Sequence, residues 1–235
     1  VLGALLAMRV KELRAPDRNG RPTFWRGPRD GFAYVLGQRQ VRLVIGITAV
    51  VATIGFNFHV LVPVLAADTL HAGPEVFGLL SASFGAGALA GALTTAALSR
   101  ASFRRLLIGT TGFGLLLLVL APVRTDWAAA ALLFAIGVCF IFWTSNSQAI
   151  LQLTTPDALR GRVLGLYLFA FAGLAPAGAL FTGWLADVGG TELAFAVAGT
   201  ASLLASVLAV TDLRGDAFRE WRARQIAVVE QTPLP

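Results

Sequence analysis

Charged side chains leave six long gaps along this chain. Residues 43–67, 76–99, 106–123, 127–156, 163–186 and 193–211 contain no Asp, Glu, Lys or Arg. The gaps hold 25, 24, 18, 30, 24 and 19 residues. Roughly 20 helical residues cross a hydrocarbon core of about 30 Å. Inside that core only a helix or a closed barrel satisfies every backbone group. The pattern therefore predicts six transmembrane helices, the third and sixth at the short end of the range. Trp127 suits a headgroup-level end for the long fourth gap. Residues 1–8 (VLGALLAM) are apolar and run into Arg9. They are too short to span, lack the basic start of a signal peptide, and read as the end of a preceding transmembrane helix.

Between them, residues 9–42 read as a loop ending in an amphipathic helix. Arg14–Pro28 carries Pro16, Gly20, Pro22, Gly27 and Pro28, a loop composition. Asp30–Val41 reads as a short interfacial helix capped by Asp30, with Phe32, Val35 and Leu36 on one face. Residues 43–211 form the predicted six-helix bundle. Residues 212–235 form a tail with a short amphipathic start and a Pro-rich end.

The bundle repeats itself. Residues 76–98 and 163–185 align at an offset of 87 with eleven of 23 positions identical, among them Gly78/Gly165, Phe84/Phe171, Gly91/Gly178 and Thr95/Thr182. The helices before them align at an offset of 89, with Asn57 over Asn146 and Asp68 over Asp157. Two units of three helices follow, 43–123 and 127–211. An odd number of crossings per unit forces them to opposite orientation, the building plan of many secondary transporters.

Composition agrees and charge placement adds direction. The chain is 56% hydrophobic and 14% charged, against about 25% charged in soluble domains. Its net charge is +6 and its pI about 10.9, which by itself admits nucleic acid. Position decides against that. Eighteen of the 19 basic residues flank the gaps on one side, and Arg124 alone lies on the other. By the positive-inside rule that side is the cytoplasm, placing loops 9–42, 100–105 and 157–162 and the C-terminal tail there, in a multi-pass protein of the cytoplasmic membrane. The basic pI then reports topology and contact with anionic lipid in the bilayer. One Cys and two His exclude an intramolecular disulfide and leave no metal site. The single Lys, Lys11, belongs to no P-loop, and HExxH and GxSxG are absent. No cofactor and no enzymatic activity are expected.

Polar groups inside the predicted membrane region concentrate on the first and fourth helices. These are Thr53, Asn57 and His59, and Thr144, Ser145, Asn146, Ser147, Gln148 and Gln152. A side-chain amide in hydrocarbon must find a partner or a wet cavity. On one reading Thr53, Asn57, His59, Asn146 and Gln148 line a substrate path walled by Phe56, Phe142 and Trp143. On the other they hydrogen-bond neighbouring helices, each contact contributing about 0.6 kcal/mol. His59 is also the natural proton-responsive group, and falls about 200° round the helix from Asn57. Small residues at Ser83, Gly87 and Gly91, and at Ala175, Ala179 and Gly183, mark close helix contacts. Pro63, Gly173, Pro176 and Gly178 interrupt regularity and are candidate hinges.

Three stretches carry a family likeness: Asp30–Arg42 (DGFAYVLGQRQVR), Thr155–Val163 (TPDALRGRV) and Pro176–Gly190 (PAGALFTGWLADVGG). On these the chain resembles the C-terminal half of a major facilitator superfamily transporter, of the bacterial exporter group that includes the enterobactin exporter and drug efflux proteins. The superfamily's loop motif G-x-x-x-D-R-x-G-R-R is degenerate, with Thr95 at its Gly, Ser99 at its Asp, and Arg100, Arg104 and Arg105 at its basic positions. With Asp157, Arg160 and Arg162 these make the candidate gating loops. The resemblance implies alternating access, a missing N-terminal six-helix half as partner, and proton-driven efflux of a small, partly apolar molecule. No acid lies within the six gaps, so a coupling carboxylate is expected in the other half. Alternatives are the membrane subunit of an ATP-driven transporter, or a non-transporting scaffold or sensor.

Overall fold

The computed structural model describes residues 26–98 and 101–230, and among these every regular element is helical. The expected helix end at 1–8, the loop up to residue 25, Ser99, Arg100 and residues 231–235 lie outside the described residues.

Helix α1 is Arg26–Gly37. It begins four residues before Asp30, which is therefore not its cap. Pro28 stands in the first turn, where a missing N–H leaves nothing unsatisfied. Asp30 instead accepts a hydrogen bond from Arg162 Nη1 at 3.1 Å. The expected apolar face divides as well: Val35 is buried, while Phe32 and Leu36 stay exposed.

The spans follow as α2 (Arg39–Thr69), α3 (Pro74–Ala97), α4 (Phe103–Leu120) and α5 (Asp126–Thr154), each long and apolar enough to cross a membrane. Residues 157–212 form a fifth qualifying run of 56 residues. At 1.5 Å per residue that run would measure about 84 Å, far more than one crossing. It is divided at Gly189 (φ −137°, ψ 18°) and Gly190 (φ 69°, ψ −177°). The Gly190 conformation is open essentially to glycine alone. The break separates α6 (residues 157–188) from α7 (residues 191–230). Six helices thus cross, and the backbone of the last runs on helically through the start of the tail.

Polar contacts sort into two groups that define the ends of the bundle. At one end Arg39 of α2 pairs with Asp212 of α7 at 2.7 Å. The Tyr34 hydroxyl donates to the Thr154 carbonyl at 3.1 Å, and Arg160 pairs with Asp157 at 2.6 Å. At the other end Arg124 pairs with Glu192, and the Thr69 and Thr191 hydroxyls meet at 2.5 Å. The chain therefore passes back and forth between an arginine-rich face and an arginine-poor one. Exposed ion pairs of this kind contribute at most about 1 kcal/mol each.

Helices close on one another through glycine. A Cβ on Gly87 of α3 would stand inside the contact distance of the Phe134 carbonyl oxygen of α5, 2.7 Å from its carbon. One on Gly91 would stand 3.0 Å from Val138 Cα, and one on Gly137 of α5 would stand 2.8 Å from Ala88 N. No side chain fits there, so the α3–α5 crossing is backbone against backbone. On α6 the corresponding contact is Gly178 against the Thr53 carbonyl of α2. Gly183, grouped with it by spacing, has open space where a Cβ would stand, and Pro176 is exposed. The inward face of α6 follows Gly178 and Thr182, the register of the sequence repeat, rather than the Ala175–Ala179–Gly183 stripe. Outside, Leu93, Leu180 and Leu208 are 66%, 78% and 67% exposed, as suits lipid rather than water.

Candidate functional site

Several interior hydroxyls are satisfied within their own helix, while those of Thr48, Thr53, Thr95, Ser147, Thr155 and Thr182 have no hydrogen-bond partner. Thr110 donates to Leu106 O, Thr144 to Phe140 O, and Ser202 to Ala198 O, all at 2.8–2.9 Å. Such groups leave nothing for a ligand.

The middle of α2 combines unpartnered polar atoms with a broken backbone ladder. There the α-helix gives way to a π-helical turn over Val51–Gly55, and Phe56 N bonds to Val51 O at 2.8 Å. Asn57 takes φ −120°, ψ 43°, and the helix restarts at Phe58. The interruption leaves the Thr53 carbonyl without its usual backbone donor. Asn57 Nδ2 supplies one, at 2.8 Å. Asn57 is fully buried, and its Oδ1 and the Thr53 hydroxyl have no hydrogen-bond partner. Interruption and tight packing coincide here. Gly55 lies against Ser202 of α7, and Gly178 of α6 lies against Thr53 and 3.2 Å from Asn57 Nδ2 by its missing Cβ.

Helix α6 is interrupted at a similar depth, by a π-helical turn over Phe169–Gly173. Pro176 has no N–H to offer the carbonyl four residues earlier, which favours a break at this point. Aromatic rings fill the space between the two interruptions. Phe56 stacks on Phe140 of α5 with centroids 4.3 Å apart and planes 15° apart. Phe84 of α3 lies 6.2 and 5.6 Å from these two rings, and Phe171 of α6 lies 5.9 and 6.3 Å from them. Phe84 and Phe171, identical in the repeat, thus flank one stacked pair. Trp143, Tyr167 and Phe113 extend the cluster, whose edge-to-face and offset pairs are favourable arrangements for aromatic rings.

The residues expected to line a path are only partly brought together. Thr53 and Asn57 sit at the interruption. His59, two residues on, is exposed on the surface shared with Pro63 and Ala67. Trp143 is fully buried and packs on Phe113 and Phe140. Phe142 is half-buried and Gln148 is exposed. Asn146 acts as a strut: its Nδ2 donates to Phe142 O at 2.7 Å and its Oδ1 accepts from Ser102 N at 3.0 Å. The first of these bonds repeats Asn57 to Thr53 at the same offset of 89. Asn146→Ala is accordingly expected to lower stability by about 1–3 kcal/mol, since a part-buried N–H at the start of α4 loses its acceptor. A melting curve in detergent that matched the unmodified protein would contradict this.

Phe84, Phe140 and Phe171 were not among the expected site residues. Their signal was present for two of them, because Phe84 and Phe171 are retained in both repeats within otherwise variable stretches. Among the gating-loop residues, Arg105 Nη1 donates to Leu98 O at 3.2 Å and Arg160 Nε to Gln152 O at 3.0 Å, while Arg104 is exposed. No group of three or more potential metal ligands occurs among the described residues. Neither the curated proteins nor the solved structures contain a match to the chain. A family model described as a transmembrane secretion effector matches residues 1–233.

Proposed function

The chain belongs to the transmembrane secretion effector family, of the major facilitator type, and from that premise we propose that it is one six-helix half of a proton-driven exporter for a small, partly apolar molecule. The observation that carries this reading is the meeting of two interrupted helices, α2 at Phe56–Asn57 and α6 at Phe169–Gly173, across an aromatic cluster with unpartnered polar atoms beside it. Interrupted helices in the middle of a membrane bundle are where transporters place substrate and where they bend. Phe56, Phe140 and Phe171 offer flat apolar contact, and Thr53 and Asn57 offer polar contact. His59, Phe142 and Gln148, at or near the surface, belong to the same path when a second six-helix unit faces this one. Asn146 and Trp143 hold the scaffold.

Alternating access then means that the two units rock about this level, with the arginine-rich face in the cytoplasm and the bundle in the cytoplasmic membrane. The loops carrying Arg100, Arg104, Arg105, Asp157, Arg160 and Arg162 close that face. No acid lies in the six spans, so the coupling carboxylate belongs to the partner unit.

The test uses full-length protein in proteoliposomes that contain no ATPase, with a fluorescent lipophilic dye as cargo. An imposed pH gradient is expected to drive dye movement, and collapsing the gradient is expected to stop it. Phe56→Ala is expected to slow it about tenfold, corresponding to roughly 1.4 kcal/mol of lost binding or barrier lowering. Dye movement that requires added ATP and ignores the gradient would favour the subunit of an ATP-driven transporter instead.

A further inference from the structure

At the arginine-rich end, α2 and α7 part to leave a groove of about 940 Å³. Its rim carries Arg39, Arg42 and Asp212, and its wall is apolar, including Leu43, Gly46 and Leu208. We propose that this groove is a binding site for one anionic phospholipid, with the phosphodiester at Arg42 and an acyl chain lying along the wall. This inference stands apart from the transport reading.

Three observations support that occupant. The first is depth. Charge-free sequence begins at residue 43, so Arg39 and Arg42 stand at headgroup level and the wall below them lies in hydrocarbon. The second is charge. Arg39 is paired with Asp212 at 2.7 Å, which leaves Arg42 as the net positive charge of the rim, matched to a monoanionic phosphodiester. Arg42 donates one N–H to Leu36 O at 2.5 Å. A guanidinium has five N–H donors in a planar fork, so others remain for phosphate oxygens. The third is shape. A Cβ on Gly46 would meet nothing within 4 Å, so the groove is recessed there, and Leu208 is 67% exposed along its edge. A zwitterionic lipid offers the same chains without the net negative charge.

Native mass spectrometry of the full-length protein, exchanged into detergent with phosphatidylglycerol or phosphatidylcholine, tests the site. The unmodified protein is expected to retain phosphatidylglycerol in preference to phosphatidylcholine. Arg42→Gln should weaken that retention about fivefold, the usual effect of one basic residue at an anionic surface. Gly46→Leu, which fills the recess without touching charge, should weaken it too. Arg29→Gln, an exposed arginine on α1, should leave it unchanged. Equal retention of the two lipids by the unmodified protein would overturn the proposal. So would loss in Arg42→Gln with Gly46→Leu unaffected, because surface charge rather than the groove would then hold the lipid.

Discussion

Gly87→Ala is expected to disrupt the bundle more than any other single methyl group added to it. The new Cβ would meet the Phe134 backbone, carbon at 2.7 Å and Cα at 2.9 Å, in the unbroken part of α5. Neither side can yield by turning a side chain, so the two helices must separate along their length. The neighbouring contacts of Gly91 on Val138 and of Gly137 on Ala88 are then lost with it. Overpacking costs about 1–3 kcal/mol where side chains can adjust. Here the expected loss is about 3 kcal/mol or more, seen as a sharply lower melting temperature in detergent. Gly85→Ala supplies the comparison on the same helix. It has open space for a Cβ and gains up to about 1 kcal/mol of helix propensity. If the two variants melted together, backbone contact would not be what fixes the α3–α5 crossing.

Gly178→Ala is expected to have a different outcome, a folded protein that no longer transports. Its Cβ would press on the Thr53 carbonyl, 3.0 Å from the carbon, and on Asn57 Nδ2 at 3.2 Å. Unlike α5, this part of α2 is interrupted. The Thr53 carbonyl is held by a side-chain amide rather than by the helix ladder, so the segment can shift at modest cost. The shift displaces Asn57 and the adjoining Phe56 ring from the aromatic cluster. Dye movement in proteoliposomes is expected to fall at least about tenfold, equivalent to roughly 1.4 kcal/mol, while yield and melting temperature change little. A variant that transports normally would show that the α2–α6 contact is packing alone.

That the chain is a bundle of membrane-crossing helices was legible in the sequence because charge is so costly in hydrocarbon that its absence marks the bilayer directly, although the helices overrun the charge-free gaps, α2 from Arg39 and α7 as far as residue 230. The division between α6 and α7 was legible too, as the charged, glycine-containing stretch Asp187–Glu192. The start of α1 was not. Gly27 and Pro28 signal a loop, and only the first-turn tolerance of proline lets the helix begin at Arg26. The interruption of α2 at Phe56–Asn57 was hidden for another reason. The nearest proline, Pro63, is six residues away, and the segment is packed by partners remote in sequence, Gly178 of α6 against Thr53 and Ser202 of α7 against Gly55. The role of Asn146 was equally hidden, because its acceptor oxygen is met by the backbone amide of Ser102, 44 residues earlier. Sequence periodicity showed that an amide lay inside the membrane, but not which backbone it would meet. For the aromatic cluster the reverse holds: Phe84 and Phe171 were visible as repeat identities, yet their meeting around Phe56 and Phe140 is a product of how the two triplets face each other.

Among the described residues the ion pairs stand at the two faces of the bundle, Arg39–Asp212 at one and Arg124–Glu192 at the other, and the six spans between contain no Asp, Glu, Lys or Arg. A membrane potential does work of about 2.3 kcal/mol per 100 mV on each elementary charge that crosses the field. Tilting this body within the bilayer carries no such side-chain charge across. The six spans therefore contribute no Asp, Glu, Lys or Arg charge to any response to voltage.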